Sequence, residues 1–268
     1  MTAGGGRVRL DALLAERGLF ESRSRAAASV IAGEVMIGED RLRAAKPGQL
    51  VRDDVEVHLA QPAHEFVSRG GVKLSNALDA LGIDVEGRSA LDAGASTGGF
   101  TDCLLQRGAT RVLAVDVGYG ELAWKLRNDE RVEVRERVNA RYMGPADLPW
   151  PVDLVVCDVS FIGLEKILPA LIACASGDYD IAAMIKPQFE VGRERIGKGG
   201  VVRDPAVRRD ALRTVARAAQ GLGAEVVGFA SSGLAGPKGN RETFIHLTPG
   251  PSGLSTSELE DMILRAEP

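Results

Sequence analysis

The sequence predicts an α/β protein, with a mostly parallel sheet covered by helices on both faces and a small α+β domain in front of it. Three observations predict this. From about residue 72 onward, strand-like and helix-like segments alternate. The strand-like segments, "RVLAVDV" and "DLVVCDVS" among them, are nearly continuous apolar runs, the pattern of strands buried on both faces. Residues 7–63 keep a different rhythm, with two short amphipathic helices followed by short alternating strands.

In chain order, "RLDALLAERGLF" places Leu10, Leu13 and Leu14 on one helical face, and Gly18 stops the helix. "SRSRAAASVIAGEV" gives a second helix, with Ala27, Val30 and Ile31 inward and Gly33 at its end. "VMIGEDRLRAAKPGQLVRDDVEVHL" reads as short strands around polar turns, closing on the alternation Val55, Val57, Leu59. A linker is expected over 64–71, with Pro62 just before it and Gly70-Gly71 at its end. The second domain then covers 72–268. Its expected strands are "SALDAGA", "RVLAVDV", "VEVRER", "DLVVCDVS", "DIAAMIKP", "AEVVGFASS" and "ETFIHLTP". Between them lie the helices "GFTDCLLQRG", "YGELAWKLRND", "LEKILPALIACA" and "AVRRDALRTVARAAQGLG", and a short helix is expected after Pro249.

Composition narrows the function classes. With 268 residues, 45% hydrophobic and 26% charged, the chain can bury a sizeable core without covalent staples. Three cysteines, Cys103, Cys157 and Cys174, are too few for a disulfide framework and read as core residues in a reducing, cytoplasmic setting. The three histidines are scattered, so no metal site is expected. No signal-peptide pattern and no apolar run of membrane-spanning length are seen, so no membrane partner is expected. The net charge of −4 argues against bulk nucleic-acid affinity but leaves room for a local basic face.

The stretch "LDAGASTGGF" (Leu91–Phe100) admits several chemistries. As a nucleophile elbow, Ser96 needs an acid and then a histidine downstream. His246 is the only later histidine, and it falls inside an expected strand. As a dinucleotide turn, Gly94, Ser96 and Gly99 put a side chain where the backbone must approach a pyrophosphate. Asp116 ends the next strand, 22 residues after Gly94, where an acid accepts hydrogen bonds from ribose hydroxyls. Together these features favour an adenosyl ligand, S-adenosylmethionine (SAM), over NAD. The expected cofactor contacts are Asp92 at the methionine end, the turn residues Gly94, Ser96, Thr97 and Gly98, Asp116 at the ribose, and Asn139 near the adenine. Plain strand-end capping is the alternative role for Asp92 and Asp116.

Four charged residues complete the pattern. Lys73 opens a helix before the first strand of the large domain, Asp158 ends strand four, Lys186 ends strand five and Glu242 begins the last strand. Ligands of doubly wound sheets bind outside the carboxyl ends of the strands, so these groups can meet in one cleft.

This pattern resembles the Lys-Asp-Lys-Glu tetrad of FtsJ-like ribose 2′-O-methyltransferases. Residues 7–63 resemble the S4 RNA-binding domain in Leu10-Asp11, Glu16-Arg17-Gly18-Leu19, Ser22-Arg23, Ala26-Ala27, Ile31, Gly33, Val35 and Lys46-Pro47-Gly48. The whole chain is similar to the TlyA (hemolysin A) family in "VSRGGVKL", "LDAGASTGGFTD", "AVDVGYGELAW", "DLVVCDVSFI", "IKPQFEVG" and "GPKGNRETF". The resemblance implies a Rossmann-like SAM-dependent methyltransferase domain with a seven-stranded sheet. It implies methylation of cytidine 2′-hydroxyls in small-subunit and, in many members, large-subunit ribosomal RNA, and a link to capreomycin susceptibility. It places Lys73, Asp158, Lys186 and Glu242 in the tetrad, with Asp158 also beside the cofactor. It assigns Arg23 and Arg25, with Arg41, Arg43 and Lys46 as a second group, to RNA. Ribosomal RNA or ribosomal subunits are the expected partners, and no obligate protein partner is evident. The linker departs from the family, because "HEFVSRGG" stands where members carry an arginine and a tryptophan. Two rival readings are a membrane-active hemolysin and an RNA binder with an inactive second domain.

Overall fold

The structure is a computed structural model that describes residues 6–20, 22–33, 35–59, 66–251 and 253–267. The chain divides into two compact units, Met1–Glu65 and Phe66–Pro268.

In the first unit, helices α1 (Leu10–Glu16) and α2 (Arg23–Ala32) pack with five short strands. Strand β1 (Arg7–Arg9) pairs antiparallel with β4 (Leu50–Arg52), and β2 (Val35–Ile37) lies between β3 (Leu42–Arg43) and β5 (Val57–Leu59). Ser22 caps α2 by accepting from the Arg25 amide at 3.2 Å, and Gly33, at φ 76°, ends it in the left-handed region. Leu10, Leu13, Leu14, Ala26, Val30, Val35, Ala44 and Val51 form the core. One expected core residue points the other way: Ile31 is 78% exposed. Ala26 and Val30, four apart, set the inward stripe, and Ile31 falls off it. Strand β1 escaped the sequence pattern because three residues give too short an alternation. Buried Asp11 ion-pairs with Arg9 at 2.7 Å and Arg23 at 3.5 Å. The Arg9 guanidinium holds its carboxyl down at about 2.

The second unit is built on a seven-stranded sheet. Its strands are β6 (Ser89–Ala93), β7 (Arg111–Asp116), β8 (Val132–Glu136), β9 (Val152–Cys157), β10 (Ala175–Ile185), β11 (Ala224–Ser231) and β12 (Thr243–Pro249). Their order across the sheet is β11-β12-β10-β9-β6-β7-β8. Every pairing from β8 to β10 is parallel, and β12 runs antiparallel to both β10 and β11. Side chains alternate between the faces, and both faces are apolar. Leu91, Ala93, Val155, Cys157, Ile181 and Ala183 meet α6 (Leu168–Cys174), α7 (Pro205–Gly221) and α8 (Thr256–Ala266) on one side. Ala90, Leu154, Val156, Ala182 and Met184 meet α3 (Arg69–Leu81) and α4 (Gly99–Gln106) on the other. This two-sided burial is why the strands read as apolar runs.

Some boundaries differ from the sequence reading. The expected linker over 64–71 overlaps the second unit. Phe66 is buried in its core, the Val67 amide donates to Asp102 at 2.7 Å, and Ser68 caps α3 from Arg69 onward. Residues 60–65 lie outside the described residues. Gly70 and Gly71 therefore belong to a helix. Gly71 is needed for packing, since a Cβ there would lie 2.3 Å from the Phe66 ring. The helix expected in "YGELAWKLRND" shrinks to α5 (Trp124–Arg127). Among the described residues, no helix is long and apolar enough to cross a membrane. All three cysteines are buried, and burial pushes the Cys103 and Cys157 thiols up to about 12.

Candidate active site

The chain runs from β6 to β7 and β8 on one side, then returns to β9 and β10 on the other. This reversal leaves a crevice beyond the carboxyl ends of β6 and β9. A cleft of about 730 Å³ occupies that place, a volume suited to a small-molecule ligand. Lys73, Asp158, Lys186 and Glu242 all line it.

Each arrives by a different route. Lys73 sits one turn into α3, behind its Ser68 cap. Asp158 and Lys186 follow the last residues of the parallel strands β9 and β10. Glu242 immediately precedes β12, and because β12 is antiparallel its start lies at the same edge of the sheet. The four form two ion pairs. The Lys73 ammonium donates to Glu242 Oε2, with both residues buried. Lys186 Nζ lies 2.5 Å from Asp158 Oδ1 and donates to Ser160 Oγ at 2.8 Å. The Lys73–Glu242 pair is buried, and such a pair persists only when each charge keeps its partner; Asp158 is half-buried.

The turn after β6 forms another wall. Gly94 has φ 93°, and a Cβ there would lie 2.5 Å from the Asp158 carbonyl oxygen, so only glycine fits. Ser96 holds φ 45°, an uncommon conformation for a residue with a side chain. Its hydroxyl donates to Glu121 at 3.0 Å, and its amide donates to Asp116 Oδ2 at 2.8 Å. His246, the partner an esterase would need, is engaged with Asp180 at 2.6 Å. Ser96 thus lacks the histidine a nucleophile elbow needs and lines the cleft as part of the turn.

Not every expected contact reaches the cleft. Gly94, Ser96 and Thr97 line it, whereas Asp92, Gly98, Asp116 and Asn139 do not. Asp92 was expected at the methionine end but is fully buried. The period of two turns it to the Ala90 face, under α4, where Thr101 donates to it at 2.7 Å. Burial pushes its carboxyl up to about 7 against that hydrogen bond. Gly98 is the left-handed N-cap of α4, packed against Leu122 and Leu126. Asp116 supports the turn by accepting from the amides of Ser96 and Gly118. The Asn139 side chain caps a short turn through the Arg141 amide at 3.0 Å.

Sequence reasoning gave no role to several residues that also line the cleft, among them Ser160, Phe161, Gln188, Phe189 and Asn240. All five stand within three residues of Asp158, Lys186 or Glu242, which is the signal that was available. Asn240 is buried and ties two walls together: its side chain accepts from the Val202 amide and donates to the Gly200 carbonyl, each at 2.9 Å. Phe161 is 91% exposed at φ 68°, with its ring 5.4 Å from that of Phe189.

Glu190 accepts from the Leu164 amide at 2.9 and 3.2 Å, and burial pushes its carboxyl up to about 7 from the usual 4.5. A carboxyl raised in the folded state contributes stability below pH 4.5, and that contribution is lost as the pH rises towards 7. Glu190→Gln keeps an acceptor for Leu164 and removes the titration. Its melting temperature should therefore match wild type below about pH 4.5 and exceed it above about pH 7.

Comparison with known proteins places this geometry. The family model described as FtsJ-like methyltransferase matches residues 66–248. The chain belongs to the FtsJ-like methyltransferase family. It is a SAM-dependent methyltransferase in family and fold, and the glycine-enforced turn, with Ser96 and Thr97 facing the cleft, fits an adenosyl ligand. The 16S/23S rRNA (cytidine-2′-O)-methyltransferase TlyA of Mycobacterium tuberculosis is 52% identical over 262 residues, covering 97% of both chains. Hemolysin A of Brachyspira hyodysenteriae is 37% identical, over 89% of this chain and 99% of that one. The solved structure of a hemolysin-named protein from Streptococcus thermophilus superposes with a TM-score of 0.72 at 40% identity, covering 98% of this chain and 96% of that one.

Proposed function

We propose that this family member transfers a methyl group from SAM to a cytidine ribose 2′-hydroxyl of ribosomal RNA, acting in the cytoplasm on RNA or ribosomal subunits. The observation that carries the reading is the convergence of two lysines and two carboxylates on the cleft beside the Gly94–Gly99 turn. The rRNA (cytidine-2′-O)-methyltransferase name of the 52%-identical relative supports the substrate.

When bound, SAM supplies an electrophilic methyl group. Gly94, Ser96 and Thr97 would hold it, with Asp116 bracing the turn. A ribose hydroxyl is a poor nucleophile, so the protein must position it and stabilise charge developing on its oxygen. Lys186, held by Asp158 and Ser160, would meet the 2′-oxygen and take its proton or stabilise the alkoxide. Lys73 would add positive field and stay oriented by Glu242. Exposed Phe161 suits stacking against a base turned out of its helix.

In the first unit Arg23, Arg25, Arg41, Arg43 and Lys46 are exposed, and all five remain candidates for RNA contact in an S4-like module. The nine basic and nine acidic residues before position 64 make that contact local rather than a bulk charge effect. Incubating the protein with labelled SAM and separated ribosomal subunits, then mapping the label, tests the reading. Label on ribose 2′-oxygens of cytidine is expected, and label on bases or no transfer would overturn it. Arg25→Ala with Lys46→Ala should weaken RNA binding and flatten its salt dependence by about 1–2 logarithmic slope units, leaving SAM affinity intact. Filter binding across a salt series measures both.

A further inference from the structure

The loop Asp158–Gly163, after β9, and the segment Lys186–Glu190, after β10, are stitched together at three points. Lys186 donates to Ser160 at 2.8 Å, the Phe161 and Phe189 rings lie 5.4 Å apart, and Glu190 accepts from the Leu164 amide at 2.9 Å. Gly163 makes the third point possible, because a Cβ there would lie 3.0 Å from the Glu190 carboxylate and 3.2 Å from the Phe189 carbonyl. A solvent-facing loop therefore has a defined position relative to one ammonium group.

An ammonium has three donors and a flexible four-carbon stem. Asp158 neutralises the Lys186 charge at 2.5 Å, and the Ser160 hydroxyl fixes the direction of one N–H. A donor remains for an oxygen in the cleft. Among the described residues, no acceptor is found for Ser160's own proton, so the hydroxyl can turn to suit Lys186.

We propose that Ser160 is a positioning residue for the methyl-transfer reaction: it holds the Lys186 ammonium so that one donor is aimed at the acceptor hydroxyl. The Phe161–Phe189 and Glu190–Leu164 contacts keep Ser160 in place. This role rests on the reading that Lys186 meets the 2′-oxygen.

The test compares Ser160→Ala, Ser160→Thr and Lys186→Ala in the full chain with ribosomal RNA as acceptor. It measures single-turnover rate against pH, SAM Kd and melting temperature. Ser160→Ala should slow transfer about tenfold at saturating RNA and SAM and alter the pH dependence of the rate, with SAM Kd and melting temperature unchanged. Ser160→Thr, which keeps the hydroxyl, should recover most of the rate. A wild-type rate and pH profile in Ser160→Ala overturns the proposal, and so does a Ser160→Thr variant as slow as Ser160→Ala. If Lys186→Ala keeps the full rate, the underlying reading of the cleft fails instead.

Discussion

Lys186→Ala should reduce methyl transfer by on the order of 10²–10⁴-fold, the range for losing a proton-transfer group or a charge stabiliser, while SAM still binds. SAM affinity survives because the glycine turn belongs to β6 and α4, not to the β10 segment that carries Lys186. Lys186→Arg separates the two chemical roles. It keeps the positive charge but cannot serve as a base, and a planar guanidinium does not reproduce the contact with Ser160. Partial activity in the arginine variant would favour electrostatic stabilisation, and complete loss would favour proton abstraction. Quench-flow rates paired with calorimetric SAM binding make the measurement, and full activity in Lys186→Ala would remove this residue from the chemistry.

Glu242→Ala should damage both stability and catalysis. Lys73 and Glu242 are each buried and face one another, so removing the carboxylate strands an ammonium in a dry wall of the cleft. Breaking a buried pair in this way costs about 3–5 kcal/mol. The double variant Lys73→Met with Glu242→Leu removes both charges and should recover much of that stability but none of the activity. Chemical denaturation and the methylation assay separate the two losses. A double variant no more stable than Glu242→Ala would mean that the pair is not the source of the cost.

The sheet was legible because its strands are buried on two sides and bounded by glycine and charged turns. The meeting of Lys73, Asp158, Lys186 and Glu242 in one cleft was legible because each sits at the edge of a strand or the start of a helix, next to a recognisable apolar run. The cofactor contacts were harder to read. Asp92 and Gly94 are two positions apart, yet one faces a helix and the other a cleft, because the chain leaves the strand between them. Asn139 and Asp116 read as ligand contacts, and in the structure they accept from backbone amides: Asn139 from Arg141 in its own turn, Asp116 from Gly118 in its own turn and from Ser96 in the turn after β6. Ser160 and Phe161 had only their nearness to Asp158 to mark them, since their contacts come from a second segment 26 or more positions later. Ile31 failed because one step around a ten-residue helix separates core from solvent.

The placement of β12 bears on when a working enzyme can first exist during synthesis. It is inserted between β10 and β11, so β11 leaves the ribosome before the strand it pairs with among the described residues has been made. The same late strand brings Glu242 to a lysine 169 residues upstream. Sheet closure and completion of the charged quartet thus wait on the same strand, and a nascent chain stalled before residue 243 would carry the cofactor turn without the strand that seats Glu242.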